Sequence, residues 1–278
     1  MLRSMNDFEN CSINATDGDI GHVKDFYFDD LTWVIRYLIV DTGSWLSSRK
    51  VLISPMAIET PNWEDKTLSV SLTKAQVKSS PDIDTDMPVS RQHEIRTLGY
   101  YGHPLYWGGA GLWGAETYPN LMMTGSAGAI GTPLLEQPEA EVLAAAGVEA
   151  EKHQRDDPHL RSCQAILDYH IEATDGDIGH VQGILVDEQT WAIRYLIVNT
   201  SNWWLGHKVL IAPQWIHAVR WPDMTVSLNL TRQMVQDAPP YDESVSLERE
   251  QEIGIHAHYG HAGYWEAEME REEVLSPD

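Results

Sequence analysis

Three groups of residues have the type and spacing to do chemistry. Asp17, Asp19 and His22 lie across one Asp-Gly-Asp turn, and Asp175, Asp177 and His180 repeat them further along. Two carboxylates and an imidazole this close can reach one metal ion. The same turn is also ordinary backbone punctuation, because glycine accepts positive φ and aspartate bonds its own backbone. A structural turn is therefore expected for Asp17, Gly18, Asp19 and Gly21, and for Asp175, Gly176, Asp177 and Gly179. The second group is His256, His258 and His261 in His-Ala-His-Tyr-Gly-His, a spacing that suits zinc or another transition metal. The third is Arg36 and Arg194, each inside an otherwise apolar run. If buried, each needs a carboxylate or carbonyl partner, so a structural ion pair is expected.

The elements that position these residues come in two copies. Ala15-Thr16-Asp17-Gly18-Asp19-Ile20-Gly21-His22-Val23 recurs letter for letter at 173–181. The same offset aligns Ile35–Val40 with Ile193–Val198, Lys50–Ile53 with Lys208–Ile211, and Tyr101-Gly102-His103 with Tyr259-Gly260-His261. Roughly 47 of about 106 aligned positions are identical, which defines units at 2–107 and 160–265. The offset also sets Leu98, Tyr100 and His103 against His256, His258 and His261, so a metal site there would belong to one copy only. Helix or loop packing is the expected role of these histidines.

Within a copy, short strands alternate with turns. His22–Phe28 reads as a strand ended by Asp29-Asp30. Trp33–Val40 is a strongly β-prone run, apolar on both faces apart from Arg36, and is expected to be central. Arg49–Ser54 and Thr67–Leu72 read as further strands, and Thr73 as the N-cap of a short helix. Several short strands in about 80 residues imply a small barrel or sandwich, since closure removes exposed edges. Residues 108–136, rich in Gly, Ala, Thr and Pro, read as a flexible linker within the segment 108–159. The Ala-rich stretch 139–153 reads as a short helix, and the acidic 266–278 as a frayed tail.

Composition excludes several classes. Nineteen basic residues against 42 acidic ones give a formal net charge of −23. That field repels nucleic acid and anionic membranes, and it suits a basic protein partner or high solubility. No apolar run approaches the length needed to cross a bilayer, and the N-terminal residues lack an apolar signal core. Two cysteines at non-equivalent places imply no shared disulfide framework, and a reducing, cytoplasmic compartment is expected.

The run A-T-D-G-D-I-G-H-V-K-D, then W-V-I-R-Y-L-I-V-D-T, then R-K-V-L-I-S-P resembles the PRC-barrel domain family. The resemblance covers roughly 5–80 and 163–238. It implies a mainly β chain: two small PRC-type β-barrels in tandem, with short helices and an irregular linker. It also implies action through protein contacts, without catalysis. That family includes the cytoplasmic domain of the photosynthetic reaction centre H subunit and the C-terminal domain of a ribosome maturation factor. The stand-alone tandem proteins of bacteria look most similar.

No nucleophile–base pair, phosphate-cradling loop or dinucleotide fingerprint is present, and Gly108-Gly109-Ala110-Gly111 lacks the strand-to-helix context for one. A non-enzymatic binding or scaffolding protein without a cofactor is expected, acting on a protein partner or on itself. A metal-binding protein or metal-dependent hydrolase using the histidines is the alternative, and a photosynthetic electron-transfer accessory rests on family analogy alone. Candidate contact residues are the shared aromatic tail, Tyr101, His103, Tyr106 and Trp107 with Tyr259, His261, Tyr264 and Trp265, and the unpaired Trp204 and Trp215 of the second copy. Docking of the tail within the chain is the favoured role. Surplus tryptophans suggest an exposed patch.

Overall fold

The computed structural model describes residues 1–46, 49–81, 83, 89, 91–107, 109, 111–125, 159–200 and 207–266. The expected helix at 139–153, the acidic segment 267–278, and Trp203 and Trp204 lie outside the described residues. Two compact units emerge. The first comprises Met1, Arg3–Ala165 and Val186–Ile193; the second comprises Leu2, Ile166–Leu185 and Arg194–Asp278.

The first unit is built on strands β2 (Ser12–Ala15), β3 (Gly18–Asp29), β4 (Val34–Asp41), β5 (Lys50–Ile53), β6 (Ile58–Asn62) and β7 (Thr67–Val70), in spatial order β5-β4-β3-β2-β7-β6. β1 (Leu2–Ser4) and α1 (Met5–Phe8) precede this sheet. β2 and β7 run parallel; the other neighbours on this path are antiparallel. The order is an open path among the described residues, so the expected barrel closure is not made by a backbone ladder. The mainly β class stands. β4 is buried from Val34 to Val40, as its two-sided apolar pattern demands. α2 (Lys74–Ser79) begins at a capping box between Thr73 and Gln76.

The unit borrows pieces of the second copy. β8 (Leu160–Ser162), that copy's opening strand, pairs antiparallel with β3, setting Ser162 opposite Tyr27 and Leu160 opposite Asp29. Arg161 Nε donates to Asp30 Oδ2 at 2.9 Å. The partly buried Asp25 carboxylate holds the next turn, accepting from Ser162 Oγ at 2.5 Å and from Gln164 N–H at 3.2 Å. Val34 bridges Ala192, its own counterpart in the repeat, with Ile35 N–H donating to Trp191 O at 2.8 Å and Ile193 N–H to Trp33 O at 2.7 Å. Unit and repeat boundaries therefore differ.

The second unit repeats the order with β9 (His170–Ala173), β10 (Gly176–Asp187), β11 (Ile193–Asn199), β12 (Lys208–Ile211), β13 (Ile216–Arg220) and β14 (Thr225–Leu228), arranged β12-β11-β10-β9-β14-β13. Each copy adds a short helix after its last strand and a longer one beyond. These are α2 and α3 (Arg91–Tyr101) in the first unit. After α4 (Pro119–Gly125) and α5 (Cys163–Ile166), the second unit has α6 (Arg232–Gln236) and α7 (Arg249–Tyr259). Cys11 and Cys163 are free and buried, and burial pushes both thiols up. No described helix is long and apolar enough to cross a membrane.

Candidate functional site

The identical turns first. Asp17 Oδ1 accepts from the Lys74 N–H at 2.7 Å, and Asp175 Oδ1 accepts from the Arg232 N–H at 2.7 Å. Each aspartate thus serves the orphan amides at the start of a short helix. Asp19 Oδ1 accepts from Gly21 N–H at 3.2 Å, while His22 stays exposed with Nδ1 3.4 Å from Ser12 Oγ. Gly21 has φ +148°, and a Cβ there would stand 2.0 Å from Asp41 O; at Gly179 it would stand 1.9 Å from Asn199 O. Asp17, Asp19 and Gly21, with Asp175 and Gly179, thus have structural tasks in the turn.

The Tyr-Gly-His motif stops a helix. Tyr101 ends α3, Gly102 adopts φ +69°, and His103 N–H donates back to Leu98 O at 2.8 Å. Tyr259, Gly260 at φ +70° and His261 N–H to His256 O at 3.0 Å repeat it on α7. This left-handed cap favours glycine, and it turns the chain back toward its own sheet.

The returning chain covers the buried arginine. Arg36, 2% exposed, lies with its guanidinium 4.0 Å from the ring centre of Tyr106 and 4.8 Å from that of Trp113. Its amines donate to Leu112 O at 2.6 Å and Thr32 Oγ1 at 3.0 Å, and stand 3.8 Å from the buried Asp29 carboxylate. The Tyr106 hydroxyl donates to Glu94, itself buried on α3. Burial pulls the Arg36 guanidinium down, and Tyr106, Asp29 and Glu94 oppose that. In the second unit Arg194 lies 3.9 Å from the centre of Tyr264, whose hydroxyl donates to Glu252 Oε1 at 2.9 Å. Stacking on an aromatic face adds to what oxygen partners supply to a desolvated guanidinium.

Most candidate contact residues are spent inside. Tyr101, His103, Tyr106 and Tyr259 are buried, Trp107, Tyr264 and Trp265 are half-buried, and His261 is exposed. Trp215 is fully buried, which corrects its placement on an exposed patch. It follows Ala212-Pro213 in a 3-10 turn and packs on Tyr259 at 4.5 Å, His256 at 5.0 Å and His261 at 5.6 Å. An indole at this site fills core volume against α7, where the first copy has the small Ala57. Trp204 lies outside the described residues.

The three histidines do not converge. His256 Nδ1 lies 2.8 Å from Ala262 O and Nε2 3.0 Å from the Tyr195 hydroxyl, while His258 Nε2 lies 2.7 Å from Met234 O. Among the described residues no group of three His, Cys, Asp or Glu side chains is arranged to hold a metal ion.

Sequence reasoning missed Trp113. It sits in the expected linker yet is fully buried, donating its indole N–H to Thr190 O at 2.8 Å. Its flank Tyr118–Leu121 then lines a groove of about 460 Å³ with Pro55, Ile58, Pro61 and Trp191 and the acidic Glu59 and Glu188. Leu121 and Met123 of the same stretch are 40% and 43% exposed.

Residues 3–75 match the family model described as PRC-barrel domain. The match spans β1 to β7 and ends as α2 begins, short of the tail. No curated protein matches the chain.

Proposed function

From a chain that carries a PRC-barrel domain at residues 3–75, we propose a non-enzymatic protein-binding scaffold. The single observation that supports this reading best is how the chemistry-bearing side chains are used. Arg36, Glu94 and Tyr106, and again Arg194, Glu252 and Tyr264, face one another in the interior and hold a tail onto a sheet. Charged groups occupied in internal contacts leave the outer surface to partner contacts.

The contact face we assign is the groove of the first unit. Its prolines and aromatic rings are rigid apolar surface that loses little entropy on binding, and acidic Glu59 sits among them. A partner segment with apolar anchors and basic flanks suits it, as does the net charge of −23. Native co-purification with the intact chain, beside a variant carrying Leu121→Glu and Met123→Glu, tests the reading. A stoichiometric protein recovered with the parent and lost with the variant supports it. No recovered protein, together with a strictly monomeric chain, argues against it.

A further inference from the structure

The second unit holds a chain of polar groups whose hydrogens do not add up when Glu252 is ionised and His256 is neutral. His256 Nδ1 faces the Ala262 carbonyl at 2.8 Å, which only accepts, so Nδ1 carries the hydrogen and Nε2 of a neutral ring is a bare acceptor. Tyr264 is a hydrogen-bond partner of Arg249, and the guanidinium can only donate, so the Tyr264 hydroxyl hydrogen is free to point at Glu252 Oε1, 2.9 Å away. Tyr195 then has one hydrogen and two neighbours at 3.0 Å, Glu252 Oε1 and His256 Nε2. With a carboxylate and a neutral imidazole, one of those two contacts lacks a hydrogen. One additional proton satisfies both.

We infer that this proton sits on Glu252 and makes the docking of the second unit's tail sensitive to pH. The carboxyl hydroxyl at Oε1 then donates to the Tyr195 oxygen, Tyr195 donates to His256 Nε2, and His256 Nδ1–H donates to Ala262 O. The other carboxyl oxygen accepts from Arg249, 2.9 Å away. The chain of donors runs one way, from α7 through β11 and back to the segment that carries Tyr264 and Trp265. Loss of the proton turns the Tyr195 hydroxyl to the carboxylate, strips His256 of its donor and frees the ring that fixes Ala262.

The charged neighbours are few. Arg194 faces the cluster from β11, Arg249 from α7, and His261 and Glu266 from the chain beyond it; the two arginines favour the carboxylate, and the interior position opposes it. Burial, the largest influence on each, pushes the Glu252 carboxyl up and the His256 imidazole down, the direction that puts the proton on the glutamate. The first unit lacks the device, because the buried Leu98 stands where His256 stands.

The test uses the intact chain, labelled for nitrogen NMR, with amide-exchange protection factors for His261 and Gly263, whose N–H groups are bonded to His256 O and Glu266, followed from pH 5 to pH 8. His256 is assigned by its loss in His256→Leu, a residue the first copy already carries at that place. The expected result is a neutral Nδ1–H ring throughout and a one-proton transition in which protection falls about tenfold as pH rises. Glu252→Gln and His256→Leu each abolish that transition. An imidazolium at His256 between pH 5 and 7, or flat protection in the parent chain, would overturn the inference. So would a transition that persists unchanged in both variants.

Discussion

Arg36 and Tyr106 lie face to face with 4.0 Å between the guanidinium carbon and the ring centre, although seventy residues of chain separate them. Arg194 and Tyr264 repeat the contact at 3.9 Å. Each arginine is fixed in a central strand and each tyrosine in a segment that a Tyr-Gly-His helix stop has turned back. Each pair therefore ties the segment beyond the helix stop to a central strand of its own sheet.

Removing the Tyr106 hydroxyl separates its two tasks. Tyr106→Phe keeps the ring over Arg36 and leaves the buried Glu94 short of a donor. A loss of about 1–3 kcal/mol is expected. Tyr106→Ala also uncovers a buried charge, and a loss of about 3–5 kcal/mol is expected. Urea unfolding of the two variants side by side checks the order.

Four glycines give opposite outcomes. Gly21→Ala and Gly179→Ala drive a methyl into the carbonyls of Asp41 and Asn199, so both destabilise by well over ~1 kcal/mol. Gly99 and Gly254 lie inside helices with nothing within 4 Å of an added Cβ. Alanine at either raises stability by about 0.5–1 kcal/mol. Thermal melts of the four variants decide it.

His103 makes the first unit sensitive to acid. Burial depresses its imidazole to about 4 from the ordinary 6.5. Below pH 6.5 the unfolded chain takes up a proton that the folded one refuses until about pH 4, so stability is intact at neutral pH and falls across that window as pH drops. The full effect is about 3 kcal/mol. His103→Gln flattens this limb in denaturant midpoints measured from pH 7 to pH 4. An unchanged limb contradicts the assignment.

Asp25 fastens the borrowed strand. The second copy has Gly183 at that place, so Asp25→Gly substitutes what the repeat already tolerates elsewhere. Loss of the bonds from Ser162 Oγ and Gln164 N–H is expected to free β8 locally, with amide exchange at 160–164 rising about tenfold or more. Exchange confined to baseline there counts against this role.

Much of this was legible in the residues. The letter-for-letter turn, the two-sided apolar strand around Arg36, the Thr73 cap and the inward docking of the tail all follow from local rules. The unit boundaries do not, because a repeat reports what is similar and not which copy a strand joins. β8 is spelled Leu-Arg-Ser in both copies, and nothing in three residues names β3 of the first unit as its neighbour. Trp113 was hidden for a related reason. It has no counterpart at the repeat offset and sits among glycines, whereas its burial rests on contacts distant in sequence, with Arg36 and Thr190. Trp215 misled by standing unpaired against Ala57, since an unpaired large residue marks a surface patch as readily as a filled core.

The most direct measurement for the scaffold reading is native co-purification of the intact chain beside the Leu121→Glu, Met123→Glu variant, with the mass of each complex read by light scattering. The account expects a stoichiometric protein complex with the parent and its loss with the variant, whose own fold and melting temperature stay unchanged. A parent that elutes alone as a monomer, or a complex indifferent to both substitutions, contradicts it.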